Sequence, residues 1–291
     1  MIKVKRWVWG KISKEECGKG IWLEAKCCGV EYRFKTVCNR EDCPVCGQEK
    51  SWAHFRRFIR GVGFIFEMLK WGSVGYMVVT CPEEKRYEWS SKEVLGGIAR
   101  YLKRLLKREL LGLMGVMRWH FAGDKGKKWY PHLNILFVGG YIDGEVLKRI
   151  KELIERRLGV KVVNYHYARS VMKVLHWWRY ISRPTFLLQN EIPYENIKGM
   201  KNVIWFGFEK IKRKYERMSG EEFLELAYRL FKEGYFEDVK VMARFIVAHS
   251  RCILCGEKLK WSKVKESEIN NTNNDWKILG WGFYVRKEGL G

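Results

Sequence analysis

Nowhere in the chain do about 18 apolar residues run together without a charge, so the sequence offers no membrane-spanning helix and no membrane partner. The opening Met1-Ile2-Lys3-Val4-Lys5-Arg6 leads into no apolar core of a secretory leader, and a cytoplasmic location is expected. Glutamine is almost missing: Gln48 and Gln189 stand alone among abundant Lys, Glu and Arg, a bias common in proteins from hot environments. No Gly-x4-Gly-Lys-Ser/Thr phosphate loop occurs, so no nucleotide-driven motor is encoded. Internal repeats and low-complexity linkers are absent as well, which leaves the domain boundaries unmarked by composition.

What is present points to a folded, polyanion-binding protein. The 291 residues are 47% hydrophobic, enough for a sizeable core and too many for a disordered or collagen-like chain. Lys and Arg number 56 against 33 acids, and the resulting net charge of +23 is spread along the whole length. Nucleic acid is the natural partner of such a surface. Fourteen Trp, fourteen Tyr and fifteen Phe sharpen that expectation, because rings set among cations stack unpaired bases. Nine cysteines in a reducing compartment, several closely spaced, suggest metal binding rather than disulfides.

The hydrophobic pattern divides the chain at about residues 70 and 210. Residues 1–70 read as a zinc-binding module running into a helix from Ser51 to about Lys70. Residues 71–210 carry strands at 76–81, 115–122, 131–138 and 161–167. Helices are expected over 91–111, from an Asp143 cap to about 158, and from a Ser170 cap to near Pro184. The order strand, helix, strand, strand, helix, strand, helix predicts an α+β, ferredoxin-like arrangement: an antiparallel sheet with helices on one face. Residues 211–291 read as a helical C-terminal region, with helices at about 208–217, 220–233 and 235–249, a cysteine pair, and a closing strand over 279–287.

Within the middle segment, Tyr130-Pro131-His132-Leu133-Asn134-Ile135-Leu136 places His132 and Asn134 on one side of a strand, with Leu133 and Ile135 on the other. An imidazole beside an amide oxygen is a plausible site for Mg²⁺ or Mn²⁺. Hairpin pairing through the turn containing Asp124 brings His120, in Arg118-Trp119-His120-Phe121, toward them. Farther on, Lys173, His176 and Tyr180 fall on one helical stripe at spacings of three and four. Taken singly, each feature also describes a surface pair or an ordinary amphipathic helix.

Together, and in this order, they resemble the HUH endonuclease superfamily, specifically the rolling-circle replication initiators of plasmids and viruses and their single-strand transposase relatives. Met77-Val78-Val79-Thr80 is similar to the family's first motif. His132-Leu133-Asn134 resembles the second, histidine-hydrophobe-histidine, with asparagine in the last place. Tyr180-Ile181-Ser182-Arg183 resembles the third, a nucleophilic tyrosine followed three residues later by a basic one; His176 stands where some relatives have a second tyrosine. The resemblance covers roughly residues 27–210. It implies a metal-dependent, site-specific nick in single-stranded or hairpin origin DNA, with Tyr180 catalytic and His120, His132 and Asn134 holding Mn²⁺ or Mg²⁺. A 5′-phosphotyrosine link and a free 3′-hydroxyl would result, the latter primer for a host polymerase, with any helicase a separate protein. Lys173, His176 and Arg183 would steady phosphates or tune the tyrosine, and basic helices around residues 100–108 and from 210 onward would track the backbone. A transposase with the same chemistry, or a non-catalytic zinc-ribbon regulator, are the other readings.

Cys38, Cys43 and Cys46 form a knuckle closed by Gly47, and structural Zn²⁺ is the expected ion. The fourth ligand comes from Cys17, Cys27 or Cys28; Cys28 is favoured because Gly29 follows it as Gly47 follows Cys46. Cys252 and Cys255 make a second knuckle, to which His249, or Cys17 and Cys27, contribute if it binds zinc. Cys81 reads as a core residue at a strand end.

Overall fold

Alternating and near-continuous apolar runs become two five-stranded antiparallel sheets in an α+β chain with six α-helices among the described residues. The computed structural model describes residues 15, 17, 19, 21–38, 40–48, 51–110, 114–123, 128–139, 141–186, 191–208, 217–236, 238–265, 276–280 and 283–287. Two compact units emerge. A central unit holds residues 61–212, and a terminal unit holds 1–60 together with 213–291. The strands are β1 (Ile21–Cys27), β2 (Val30–Lys35), β3 (Val74–Thr80), β4 (Gly115–His120), β5 (His132–Val138), β6 (Val163–Ala168), β7 (Val203–Phe206), β8 (Ser262–Lys265), β9 (Lys277–Gly280) and β10 (Phe283–Lys287). The helices are α1 (Trp52–Lys70), α2 (Lys92–Glu109), α3 (Gly144–Leu158), α4 (Val171–Ser182), α5 (Gly220–Lys232) and α6 (Val239–Ala248).

In the central unit the strand order is β6-β3-β5-β4-β7. Met77, Val79, Leu133, Ile135, Phe137, Met117 and Trp119 project from one face into the main core. Covering that face, α2 buries Leu95, Ile98, Ala99, Leu102, Leu105 and Leu106, an i, i+3, i+4, i+7 stripe. α3 adds Ile150 and Ile154. Two caps are the expected ones, Asp143 accepting from Glu145 N–H and Ser170 from Lys173 N–H; Ser91, expected inside its helix, is instead the cap, accepting from Val94 N–H.

The expectation of helices on one face needs correcting. β4 is buried along its whole length and β5 nearly so, as for a sheet covered on both sides rather than half solvated. The second cover is α4, whose Trp177 stacks on Tyr76 of β3 at 5.2 Å. α2 and α4 therefore lie on opposite faces. The exposed cations of α2, Arg100, Arg104, Lys107 and Arg108, stand across the sheet from Tyr180; residues 209–216 of the second expected basic helix lie outside the described residues.

The terminal unit does not divide as the sequence suggested. Its sheet runs β8-β1-β2-β10-β9, so strands from residues 21–35 interleave with strands from residues 262–287. A two-stranded hairpin is marginal by itself, and β8, β9 and β10 complete it. Glu31, buried in β2, sits in cross-strand register with Lys26 on one side and Arg286 on the other. Arg286 Nε donates to Glu31 at 2.9 Å and Lys26 forms an ion pair with it. Against the carboxyl's burial, these two cations hold its pKa below the usual range. α6 lies on this sheet through Ala243 and Val247, and Phe223 of α5 stacks on Phe245 of α6 at 5.6 Å. The region expected to be helical after residue 211 is thus two helices and three strands among the described residues. No helix among them is long and apolar enough to cross a membrane.

Candidate functional site

The antiparallel register of β3, β5 and β4 sets Thr80, His132 and His120 in one row, and Val78, Asn134 and Arg118 in the next. Directly opposed residues stand about 5 Å apart at Cβ, and the His120 and His132 rings lie 5.3 Å apart at 68°. Both are almost fully buried beneath α4. The helix brings Tyr180 over them: its hydroxyl is 3.5 Å from His132 Nε2 and its ring 5.1 Å from that of His120.

Backbone carbonyls fix both tautomers, because a carbonyl only accepts. His132 Nδ1–H donates to Tyr130 O at 2.9 Å, which turns the Nε2 lone pair toward the Tyr180 hydroxyl. His120 Nε2–H donates to Ile181 O at 3.1 Å, leaving Nδ1 as its lone-pair nitrogen. Burial, then the charges of His132 and Arg118, hold the His120 pKa well below its ordinary value. The ring is therefore neutral, the form that binds metals.

Asn134 is drawn away from this cluster. Fully buried, it accepts the Tyr76 hydroxyl at 2.7 Å on Oδ1, and its amide nitrogen faces Arg118 O at 3.5 Å. The trio of ligands expected from two strands is thus an imidazole pair with a structural amide behind it. Among the described residues, groups of three or more Cys, His, Asp or Glu within mutual ligating distance are all thiols, so no carboxylate completes a hard-metal set.

The stripe along α4 also splits. Arg183, just beyond the helix, lays its guanidinium 4.1 Å over the Tyr180 ring, where a cation is attracted to the π face. Lys173 and His176 are exposed instead, the Lys173 ammonium lying 5.7 Å over Trp177. Asp124 lies outside the described residues. Sequence reasoning missed Tyr76 and Trp177, although alternation in Tyr76-Met77-Val78-Val79-Thr80 already sets Tyr76 on the His132 face of β3.

No protein-family model, curated protein or solved structure matches this chain.

Eight of the nine cysteines gather into two groups of four in the terminal unit, and each can hold a metal ion such as zinc. Cys17, Cys38, Cys43 and Cys46 form the first; Cys27, Cys28, Cys252 and Cys255 form the second. Four sulfurs about 2.3 Å from one tetrahedral ion lie about 3.8 Å apart. The separations match: 3.5 Å for Cys17–Cys46, 3.8 Å for Cys38–Cys46, 3.7 Å for Cys27–Cys28 and 3.6 Å for Cys27–Cys255. All are far longer than a disulfide. Amide N–H groups reach the sulfurs as well, Cys38 N to Cys17 Sγ at 3.3 Å and Leu254 N to Cys252 Sγ at 3.4 Å, an arrangement that favours thiolates. A Cβ on Gly47 would meet Glu41 O at 2.3 Å, and one on Gly256 would meet Gly220 O at 2.1 Å, so both knuckles require glycine.

Cys28 thus belongs to the second group, and Cys17 is the fourth thiol of the first. Gly29 misled because it serves another purpose. Cys28 and Gly29 both have positive φ, 52° and 68°, and form the two-residue turn between β1 and β2 that suits the twist of a hairpin. His249 joins neither group: its ring lies 4.5 Å from that of Phe245 and 5.4 Å from that of Phe223, and Nδ1–H donates to Phe245 O at 2.8 Å. Cys81, the ninth thiol, is a core residue whose pKa burial pushes up to about 12.

Proposed function

We propose that the chain is an HUH-type single-strand DNA endonuclease and strand transferase, with Tyr180 as nucleophile, serving as a rolling-circle replication initiator. The observation that carries this reading is the 3.5 Å approach of the Tyr180 hydroxyl to the lone-pair nitrogen of His132, with His120 alongside. Three separate elements supply these groups. The strand, helix, strand, strand, helix, strand order from β3 to β6, closed into one antiparallel sheet, supports a ferredoxin-like HUH domain. The net charge of +23 suits a DNA strand.

In the reaction, the Tyr180 oxygen bonds to phosphorus while the bond from phosphorus to the 3′ oxygen breaks. The tyrosine proton passes to His132 Nε2, and the 3′ oxygen leaves as a hydroxyl by taking a proton from solvent water. A 5′-phosphotyrosyl ester remains, and its energy permits rejoining by the reverse path. His120, held neutral, adds no charge beside His132 that would keep it from accepting the proton. Arg183, over the Tyr180 ring, offsets negative charge that develops on the phenol oxygen. With the one lone pair of His132 taken up by the tyrosine proton, only His120 Nδ1 would be left among the pair to hold a Mn²⁺ or Mg²⁺ ion, which would polarise the scissile phosphate. The two thiol groups are proposed to hold structural Zn²⁺, tying residues near 17–46 and 252–255 into the terminal unit.

Incubation of a 3′-labelled hairpin or single-stranded DNA library with the full chain and Mn²⁺ should transfer the labelled downstream part of the DNA onto the protein as a denaturation-resistant adduct. Tyr180→Phe should reduce that adduct to background. Equal labelling of the variant would sink the assignment, and equal labelling in EDTA would leave His132 as base and remove the catalytic ion from the reading.

A further inference from the structure

Beside the Tyr180 site, at the end of the sheet, lies a cavity of about 340 Å³, at the small end of ligand pockets, which run from roughly 300 to 1,000 Å³. It adjoins the reacting groups directly. Thr80, in its wall, is the register partner of His132, and Tyr130, also in its wall, has its ring 5.5 Å from the His132 ring. The guanidinium of Arg86 lies 5.0 Å from the Tyr130 ring, which stiffens that ring as a platform. Val162 supplies an apolar wall, and Glu84, Lys161 and Asn164 supply the polar groups.

Glu84 decides what fits. Its exposed carboxylate, at the mouth of the cavity, repels a phosphate, whereas it accepts hydrogen bonds from an exocyclic amine. Lys161 and Asn164 can donate to the ring nitrogen beside that amine. Aromatic stacking combined with hydrogen bonds to a base edge is how splayed, unpaired bases are held. Thymine offers carbonyl oxygens where cytosine and adenine offer the amine, and those oxygens face the carboxylate unfavourably.

We propose that this cavity receives one unpaired, amino-bearing base, cytosine or adenine in preference to thymine, from the strand whose phosphate lies at Tyr180. It rests on the nicking reading for its purpose, and its test reads binding alone. In the Tyr180→Phe background, fluorescence anisotropy would compare labelled oligo(dC), oligo(dA) and oligo(dT) of equal length. The first two should bind about fivefold tighter than oligo(dT), the low end for one good base contact. Adding Glu84→Ala, an exposed position, should erase that preference to within about twofold. A preference absent at the outset, or one that survives Glu84→Ala, would overturn the proposal. So would equal tightening of all three oligomers, which would mark the cavity as facing phosphates. A Glu84-dependent preference without any Tyr180 adduct would sink the nicking reading alone; an adduct without the preference would sink the pocket alone.

Discussion

The two units solve the same problem, an antiparallel sheet with helices against it, by different means. In the central unit, α2 and α3 cover the sheet with a continuous apolar core from Met77 to Phe206. The terminal unit has a smaller core, around Leu23, Tyr32, Phe34, Val247 and Trp261, and assembles strands from the two extremes of the described chain. Closing so long a loop is costly in entropy, and the cluster of Cys27, Cys28, Cys252 and Cys255 sits where that closure must be held, while Cys17, Cys38, Cys43 and Cys46 gather one side of it. One unit is stabilised chiefly by hydrophobic burial; the other has two thiol groups that can hold metal, and on the proposed reading it depends on that metal.

Removing the metal should therefore separate the units most sharply. Apparent binding free energies of structural zinc run roughly 10–16 kcal/mol, more than a domain's whole stability. Chelation should abolish amide-exchange protection in β1, β2 and β8 while β3, β4 and β5 keep theirs. The two centres should also differ. All four thiols of the Cys17 group are buried, whereas Cys28 of the other group is exposed, so zinc release should be biphasic, with the faster phase lost in Cys28→Ser. Uniform loss of protection across both sheets would break the contrast.

The converse test acts on the core. Leu133 is fully buried at the centre of the main cluster, and Leu133→Ala should cost about 3 kcal/mol through the cavity it leaves. Added zinc should not restore it, and β1 and β2 should exchange as before. Urea denaturation followed by exchange at β3 to β6 would measure the loss. Recovery of stability on adding zinc would mean that the central unit, too, relies on metal.

This contrast governed what could be read in advance. From β3 to α4 the elements of the central unit were legible to within a few residues, because they carry local signatures: Asp143 and Ser170 at caps, alternation in β3 and β5, and Pro184 past the end of α4; the short edge strand β7, Val203–Phe206, was not. The His120 and His132 pairing was legible too, since a hairpin joins β4 and β5. Burial of both sheet faces was not, because His132, Asn134 and Arg118 read as a polar exterior until α4 is laid across them. Asn134 shows the consequence: spacing alone puts it beside His132, while the Tyr76 hydroxyl that claims it comes from a third strand. In the terminal unit the partners are too distant for any local rule. Cys27 and Cys28 meet Cys252 and Cys255 only through the sheet closure, and Ser262–Lys265, half lysine, carries no strand signal of its own. The closing stretch read as one strand is two, β9 and β10, paired with each other.

The smallest expected effect sharpens the comparison from the side of pH. His249 lies in the terminal unit among Phe223 and Phe245, and burial, with Arg60 and Arg251 repelling a further positive charge, lowers its pKa to about 4. The unfolded chain takes the same proton at about 6.5. Between those values the unfolded state binds more protons, so stability holds above about pH 6.5, falls as the pH drops toward 4, and changes no further below that on this residue's account. The full shift corresponds to roughly 3 kcal/mol, and the ring's partial exposure reduces that to about 2 kcal/mol. Urea midpoints of the zinc-loaded protein from about pH 7 to about pH 4.5 would show it, provided His249→Phe is measured alongside. Thiolates also take up protons in acid, but both proteins carry the same eight cluster thiols, so the difference between the two curves isolates the imidazole. A flatter curve for His249→Phe would make the terminal unit's acid sensitivity partly a matter of one ring; parallel curves would assign it entirely to the metal centres.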